Sequence, residues 1–63
     1  AASYQLAQLH AERHETDAAI AALEMGWQVK DPGLSSMRVD AFMDPIRDDP
    51  RFEAIVKRLN YPT

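Results

Sequence analysis

Three Asp-Pro pairs, Asp31-Pro32, Asp44-Pro45 and Asp49-Pro50, limit what this chain can build. Proline has no backbone N–H, and its ring clashes with the helical turn before it. It also drives the preceding residue into extended backbone. An α-helix therefore cannot run through any of these pairs. Full helices fit before Asp31 or after Asp49, and the residues between are confined to short turns. The pairs also work as starts, because Asp caps and Pro tolerates the first helical position. Asp44-Pro45 and Asp49-Pro50 read in that way.

Before the first pair, the periodicity predicts two helices. In the first, over about residues 2–12, Leu6, Leu9 and His10 share a face with Ala2, while Tyr4, Ala7 and Ala11 form a second strip. Arg13-His14-Glu15 then turns polar. Thr16 is a good N-cap for a second helix over 17–30, and Asp17 adds negative charge to its first turn. Ile20, Leu23 and Trp27 make its large face, and Ala19, Ala22 and Gly26 a smooth strip beside it. An interior Gly costs about 1 kcal/mol relative to Ala, so Gly26 is expected to serve a close backbone contact. Asp31-Pro32-Gly33 ends the helix, with Gly33 supplying the sharp turn.

Leu34, Met37 and Val39 fall in a short segment that fits a turn or two of helix over 34–39. Asp40 heads further short turns over 41–47, with Phe42, Met43 and Ile46 as inward pegs. The last helix, over 50–59, carries Phe52, Ile55, Val56 and Leu59 as one apolar stripe. Asn60 suits a left-handed cap and Pro62 forbids continuation. No alternating strand pattern occurs. The reading is one all-α domain over residues 1–63: an αα-hairpin, short helical turns and a C-terminal capping helix.

Size makes the packing of that last helix matter. A chain of 63 residues buries only about 60% of the surface it exposes when unfolded. There is no Cys, so neither a disulfide nor a thiolate metal site can assist. Stability must come from helix packing or from a neighbour, including a second copy of the chain. The chain opens on Ala1 rather than Met, with a helical pattern from the outset, as expected for a cut inside a longer helical protein. No apolar run approaches the roughly 20 residues of a membrane span, and no signal peptide is evident. The net charge of −3 argues against nucleic acid as a partner. The absence of Cys fits a reducing compartment, and the cytoplasm is the expectation.

Little in the chain suggests catalysis. His10 and His14 stand at i and i+4, a spacing that can bind zinc, but Glu12 is in neither zinc-protease position and no third ligand is evident. A small metal-binding protein using His10 and His14 is the weakest alternative. Asp44, Asp48, Asp49 and Glu53 form an acidic cluster, yet acid–base work needs a cleft, and capping already accounts for two of them. Ser35 and Ser36 read as helix-start residues. There is no phosphate loop and no nucleophile elbow. No catalytic residue, cofactor or metal is expected. Tyr4, Gln8 and Trp27 are the candidate interaction residues, aromatics being the usual anchors of interfaces.

The hairpin resembles a single tetratricopeptide repeat. The resemblance rests on Leu6, Ala7 and His10 in the first helix, on Ala19-x3-Leu23-x2-Gly26 in the second, and on Asp31-Pro32 at the exit. His10 stands where the family favours Tyr, Arg13-His14-Glu15 replaces a small linker, and Pro32 falls one place late. Asp44-Pro45-Ile46-Arg47 followed by Asp49-Pro50-Arg51-Phe52 is similar to the segment that ends many bacterial tetratricopeptide-repeat proteins. The resemblance implies a non-enzymatic protein–protein interaction module, the C-terminal part of a larger bacterial protein, whose partner is another protein or the preceding repeats. A purely structural cap of a helical array is the alternative.

Overall fold

The computed structural model describes residues 3–60; the expectations that rest on Ala2 and Pro62 lie outside them. Three α-helices are present: α1 (Ser3–Glu12), α2 (Thr16–Val29) and α3 (Pro50–Asn60). Between α2 and α3 run two 3-10 turns, Pro32–Ser36 and Ala41–Ile46. No strand occurs among the described residues, and the fold is all-α. No helix among them is long and apolar enough to cross a membrane.

Both hairpin helices end in the same way, on a residue that the sequence did not single out. His14 has φ 61° and Lys30 φ 59°, both left-handed. Around each, the amide just after the left-handed residue reaches back across the last turn: Glu15 N–H to His10 O at 2.9 Å, and Asp31 N–H to Gly26 O at 2.9 Å. These are Schellman closures, built on His and Lys instead of the usual Gly. Gly33 has no positive φ, so the turn after α2 belongs to Lys30. The start of α2 also differs from expectation. Thr16 is already helical, and Glu15 stands in the cap position without a side-chain capping bond. Its carboxylate lies 2.7 Å from His10 Nδ1 instead.

The glycines have exchanged roles. A methyl added at Gly26 would meet Leu34 Cδ1 at 3.4 Å, an ordinary van der Waals distance. One added at Gly33 would lie 3.0 Å from Tyr4 Cβ, next to backbone that cannot swing away. The close approach is therefore of Gly33 to α1. Gly26→Ala is expected to raise stability by about 0.5–1 kcal/mol through helix propensity. Gly33→Ala is expected to lower it by about 1–3 kcal/mol through overpacking. Thermal denaturation of the two variants checks both signs.

On α1, the buried strip is Tyr4, Ala7 and Ala11, while Leu6 and Leu9 are 43% and 46% exposed. Alanine lets the two helix axes come close, and Ala7, Ala11 and Ala19 are all fully buried. The core continues through Ile20, Leu23, Leu34, Met37, Met43, Ile46, Phe52 and Ile55.

The segment between α2 and α3 follows one rule. In a 3-10 turn, side chains three apart eclipse one another. Leu34, Met37, Met43 and Ile46 lie on that period and are all buried. Val39 and Phe42 fall off it and are exposed, so Phe42 is not a peg. The missing member of the series is Asp40, which faces α1. It caps the second 3-10 turn through the Phe42 amide at 2.9 Å. Asp44-Pro45 lies inside that turn and caps nothing; Asp44 pairs with Arg47 at 3.0 Å. Ser35 and Ser36 end the first turn instead of starting a helix.

Asp49 does head α3, accepting the Arg51 amide at 2.8 Å. The α3 helix runs through Asn60, the residue expected to cap it. It packs on the Ile20–Leu23–Trp27 side of α2, held at its two ends by arginines. Arg51 reaches Asp17 at 2.8 Å, and Arg58 reaches Glu24 at 2.8 Å while lying over the Trp27 ring.

Candidate functional site

The three candidate interaction residues have different fates. Tyr4 is core, only 5% exposed. Its hydroxyl donates to Asp40 Oδ2 at 2.5 Å, and Gln8 Nε2 donates to the same oxygen at 2.7 Å. Tyr4 and Gln8 therefore join α1 to the second 3-10 turn, and the buried Tyr4 is not available as a binding surface. Trp27 is half-buried, packed against the core on one side and lining a cleft on the other.

Two aspartates organise the inner face of α1. Asp31 accepts the Tyr4 amide at 3.0 Å with one oxygen and the Gly33 amide at 2.9 Å with the other. It thus caps α1 from the far end of α2 and starts the first 3-10 turn as well. These backbone donors, Tyr4 first, hold its carboxyl below the ordinary range. At Asp40, partial burial opposes the charge. Hydrogen bonds from Tyr4, Gln8 and the Phe42 amide, with Arg47 nearby, outweigh that burial and hold it low too. Burial and the Asp40 carboxylate together push the Tyr4 phenol well above its ordinary value. Arg47 ties the backbone around this point, donating to the carbonyls of Arg38 and Asp40.

The residues considered for chemistry do not assemble into a site. His14 lies in the left-handed turn beyond α1, so His10 and His14 do not share a helix face. Among the described residues, no three His, Cys, Asp or Glu side chains are grouped to hold a metal. In the acidic cluster, Asp44 is paired with Arg47, and Asp49 with Arg51, whose side chain holds its carboxyl low.

What the fold leaves open is the outer face of the hairpin. At about 3.6 residues per turn, Leu6 and Leu9 lie on the side of α1 away from Tyr4 and Gln8, and hence from the 3-10 turns. Met25 and Val29 lie on the side of α2 away from Ile20, which faces α3. All four are exposed, Met25 by 54% and Val29 by 60%. The C-terminal half thus covers one face of the hairpin and leaves an apolar strip on the other. Periodicity on α1 did show Leu6 and Leu9 as a face of their own; the signal that they are the outer one was the alanine strip beside them. No family model, curated protein or solved structure matches the chain.

Proposed function

We propose that the chain is a non-enzymatic protein–protein interaction module of tetratricopeptide type, the C-terminal part of a larger bacterial, cytoplasmic protein. Its mechanism is helical surface complementarity at the outer hairpin face. The observation that carries this reading is the strip of Leu6, Leu9, Met25 and Val29 on the face opposite the C-terminal half. Such patches, rimmed by polar residues, mark interaction sites. Repeat hairpins bury their two faces against neighbours on either side. Here the 3-10 turns and α3 occupy one side, which leaves the other for a preceding hairpin, another protein or a second copy. A structural cap would use the strip only against the hairpin that precedes it, whereas an interaction module would also use it on a separate partner.

The double variant Leu6→Asp with Met25→Asp tests this. Both positions are exposed, so the melting temperature is expected to change little. Association of the chain with itself, or with a helical hairpin joined before it, is expected to weaken by about tenfold or more, since each buried charge costs over 1 kcal/mol. Unchanged association would leave the purely structural cap as the better account.

A further inference from the structure

A groove runs along α3 on the side of the molecule that the outer hairpin face does not reach. At one end lies a cleft of about 370 Å³, walled by Trp27, Leu34 and Leu59. At the other lies one of about 380 Å³, walled by Phe52 and Val56. Arg38 lines both and stands where the two clefts adjoin. Leu34 and Phe52 are buried and form the floor, while Val56 and Leu59 are half-buried.

The charges around this groove are unequal. Most charged groups on the molecule are already paired. Arg47 bonds Asp44 and two carbonyls, Arg51 bonds Asp17 and Asp49, and Arg58 bonds Glu24. Asp31, at the cleft edge, has both oxygens occupied by the Tyr4 and Gly33 amides. Four cations, Arg13, Lys30, Arg38 and Lys57, have no such partner among the described residues, and two of them, Lys30 and Arg38, stand on this groove. Both line the first cleft, both are exposed, and neither side chain makes a hydrogen bond or ion pair among the described residues. The unpaired carboxylate on the groove, Glu53, stands at the opposite end. Asp31 keeps its negative charge, but Lys30 and Arg38 outnumber it on this cleft in a chain of net charge −3, a local reversal of sign over an apolar floor.

The geometry points to an acidic peptide as the occupant, with its carboxylates at Lys30 and Arg38 and an apolar side chain between Trp27, Leu34 and Leu59. Arg supplies a planar fork suited to carboxylate, and the aromatic and aliphatic walls supply the area. This surface is separate from the outer hairpin face. It adds a partner class to the interaction reading without depending on it.

Trp27 is the sole tryptophan and lines the cleft, so its fluorescence reports occupancy directly. The probe is an acetylated, amidated peptide, Glu-Asp-Leu-Phe-Glu-Asp, with the neutral Gln-Asn-Leu-Phe-Gln-Asn as control. Saturable change in Trp27 emission is expected with the acidic peptide, weakening as salt is added. The neutral peptide is expected to bind about tenfold more weakly. Arg38→Glu is expected to weaken the acidic peptide by at least that factor, with Lys30→Glu as a second variant. The Arg38 side chain makes no hydrogen bond or ion pair among the described residues, so an unchanged melting temperature certifies the variant. The Leu6→Asp, Met25→Asp variant should bind the peptide normally, which separates failure of this inference from failure of the hairpin-face reading. Equal binding of the two peptides, full binding by Arg38→Glu, or a response to phosphatidylserine vesicles but not to the acidic peptide would overturn the proposal.

Discussion

Asp40→Ala is expected to lower the stability of the chain by about 2–4 kcal/mol, because it deletes one carboxylate that serves three donors. Tyr4 O–H and Gln8 Nε2 donate to one oxygen, and the Phe42 amide to the other. Two of these bonds cross 36 and 32 residues of sequence. Their loss strands a buried phenol and uncaps the second 3-10 turn together. Domains carry roughly 0.05–0.15 kcal/mol per residue, so a chain of this size holds only about 3–9 kcal/mol in all. The expected drop in melting temperature is on the order of 10–20 °C. Tyr4→Phe, which removes a single donor, should cost only about 1 kcal/mol. A melting curve for Asp40→Ala that overlays the parent would mean that the junction contributes nothing.

The same junction sets a pH window. Asp31, Asp40 and Asp49 are held below the ordinary carboxylate range. The unfolded chain therefore takes up protons first. The contribution of these groups is complete above about pH 4, the unfolded value, and is lost as pH falls through their lower folded values. Tyr4 is shifted upwards, so its contribution is complete below about pH 10 and is lost as pH rises towards the folded value. Denaturation against pH should show a plateau between these limits. In Asp40→Ala the alkaline limb should flatten, because the carboxylate that helps raise the phenol is gone.

Ile55→Ala is the second large effect, at about 3 kcal/mol. Ile55 is fully buried on α3, and removing three buried carbons leaves a cavity that a small core can only partly close. Phe52 and Ile55 are the buried residues through which α3 joins the core, beside the partly buried Val56 and Leu59. Urea denaturation should show a lower midpoint with an unchanged slope, because α3 unfolds together with the hairpin. Leu6→Ala, at an exposed position, should cost less than about 0.5 kcal/mol. If Ile55→Ala instead produced two transitions, α3 would be a detachable segment and not part of one cooperative unit.

The helices were legible in the sequence because their signals are local. The Phe52–Leu59 stripe, the Asp49-Pro50 start and the break at Asp31-Pro32 involve neighbours a few residues apart. Which strip of α1 turns inward was not legible in the same way. Leu6 and Leu9 are the larger side chains, but the small Ala7 and Ala11 permit the closer helix approach, and that gain depends on Ala19 across the hairpin. The roles of Asp31 and Asp40 were half legible. The stop at Asp31 and the start at Asp40 follow from sequence, whereas the capping by Asp31 and the bonds of both to Tyr4 and Gln8 depend on how distant segments meet. A signal for Asp40 was present: it occupies the same three-residue period as Leu34, Met37, Met43 and Ile46. The left-handed Lys30 gave none, because Lys does not favour that conformation and Gly33 stood nearby as the expected one, while His14 gave only the general enrichment of His there.

The central claim is that the C-terminal half closes one face of the hairpin and leaves the Leu6–Leu9–Met25–Val29 face to a partner. Light scattering of the unmodified chain across a wide range of concentration tests it most directly. The expected result is a mass that rises from the 7.1 kDa of a single chain as concentration increases, and that fails to rise in the Leu6→Asp, Met25→Asp variant. A mass fixed at that of the monomer at every concentration would contradict self-association through this face and favour the structural cap.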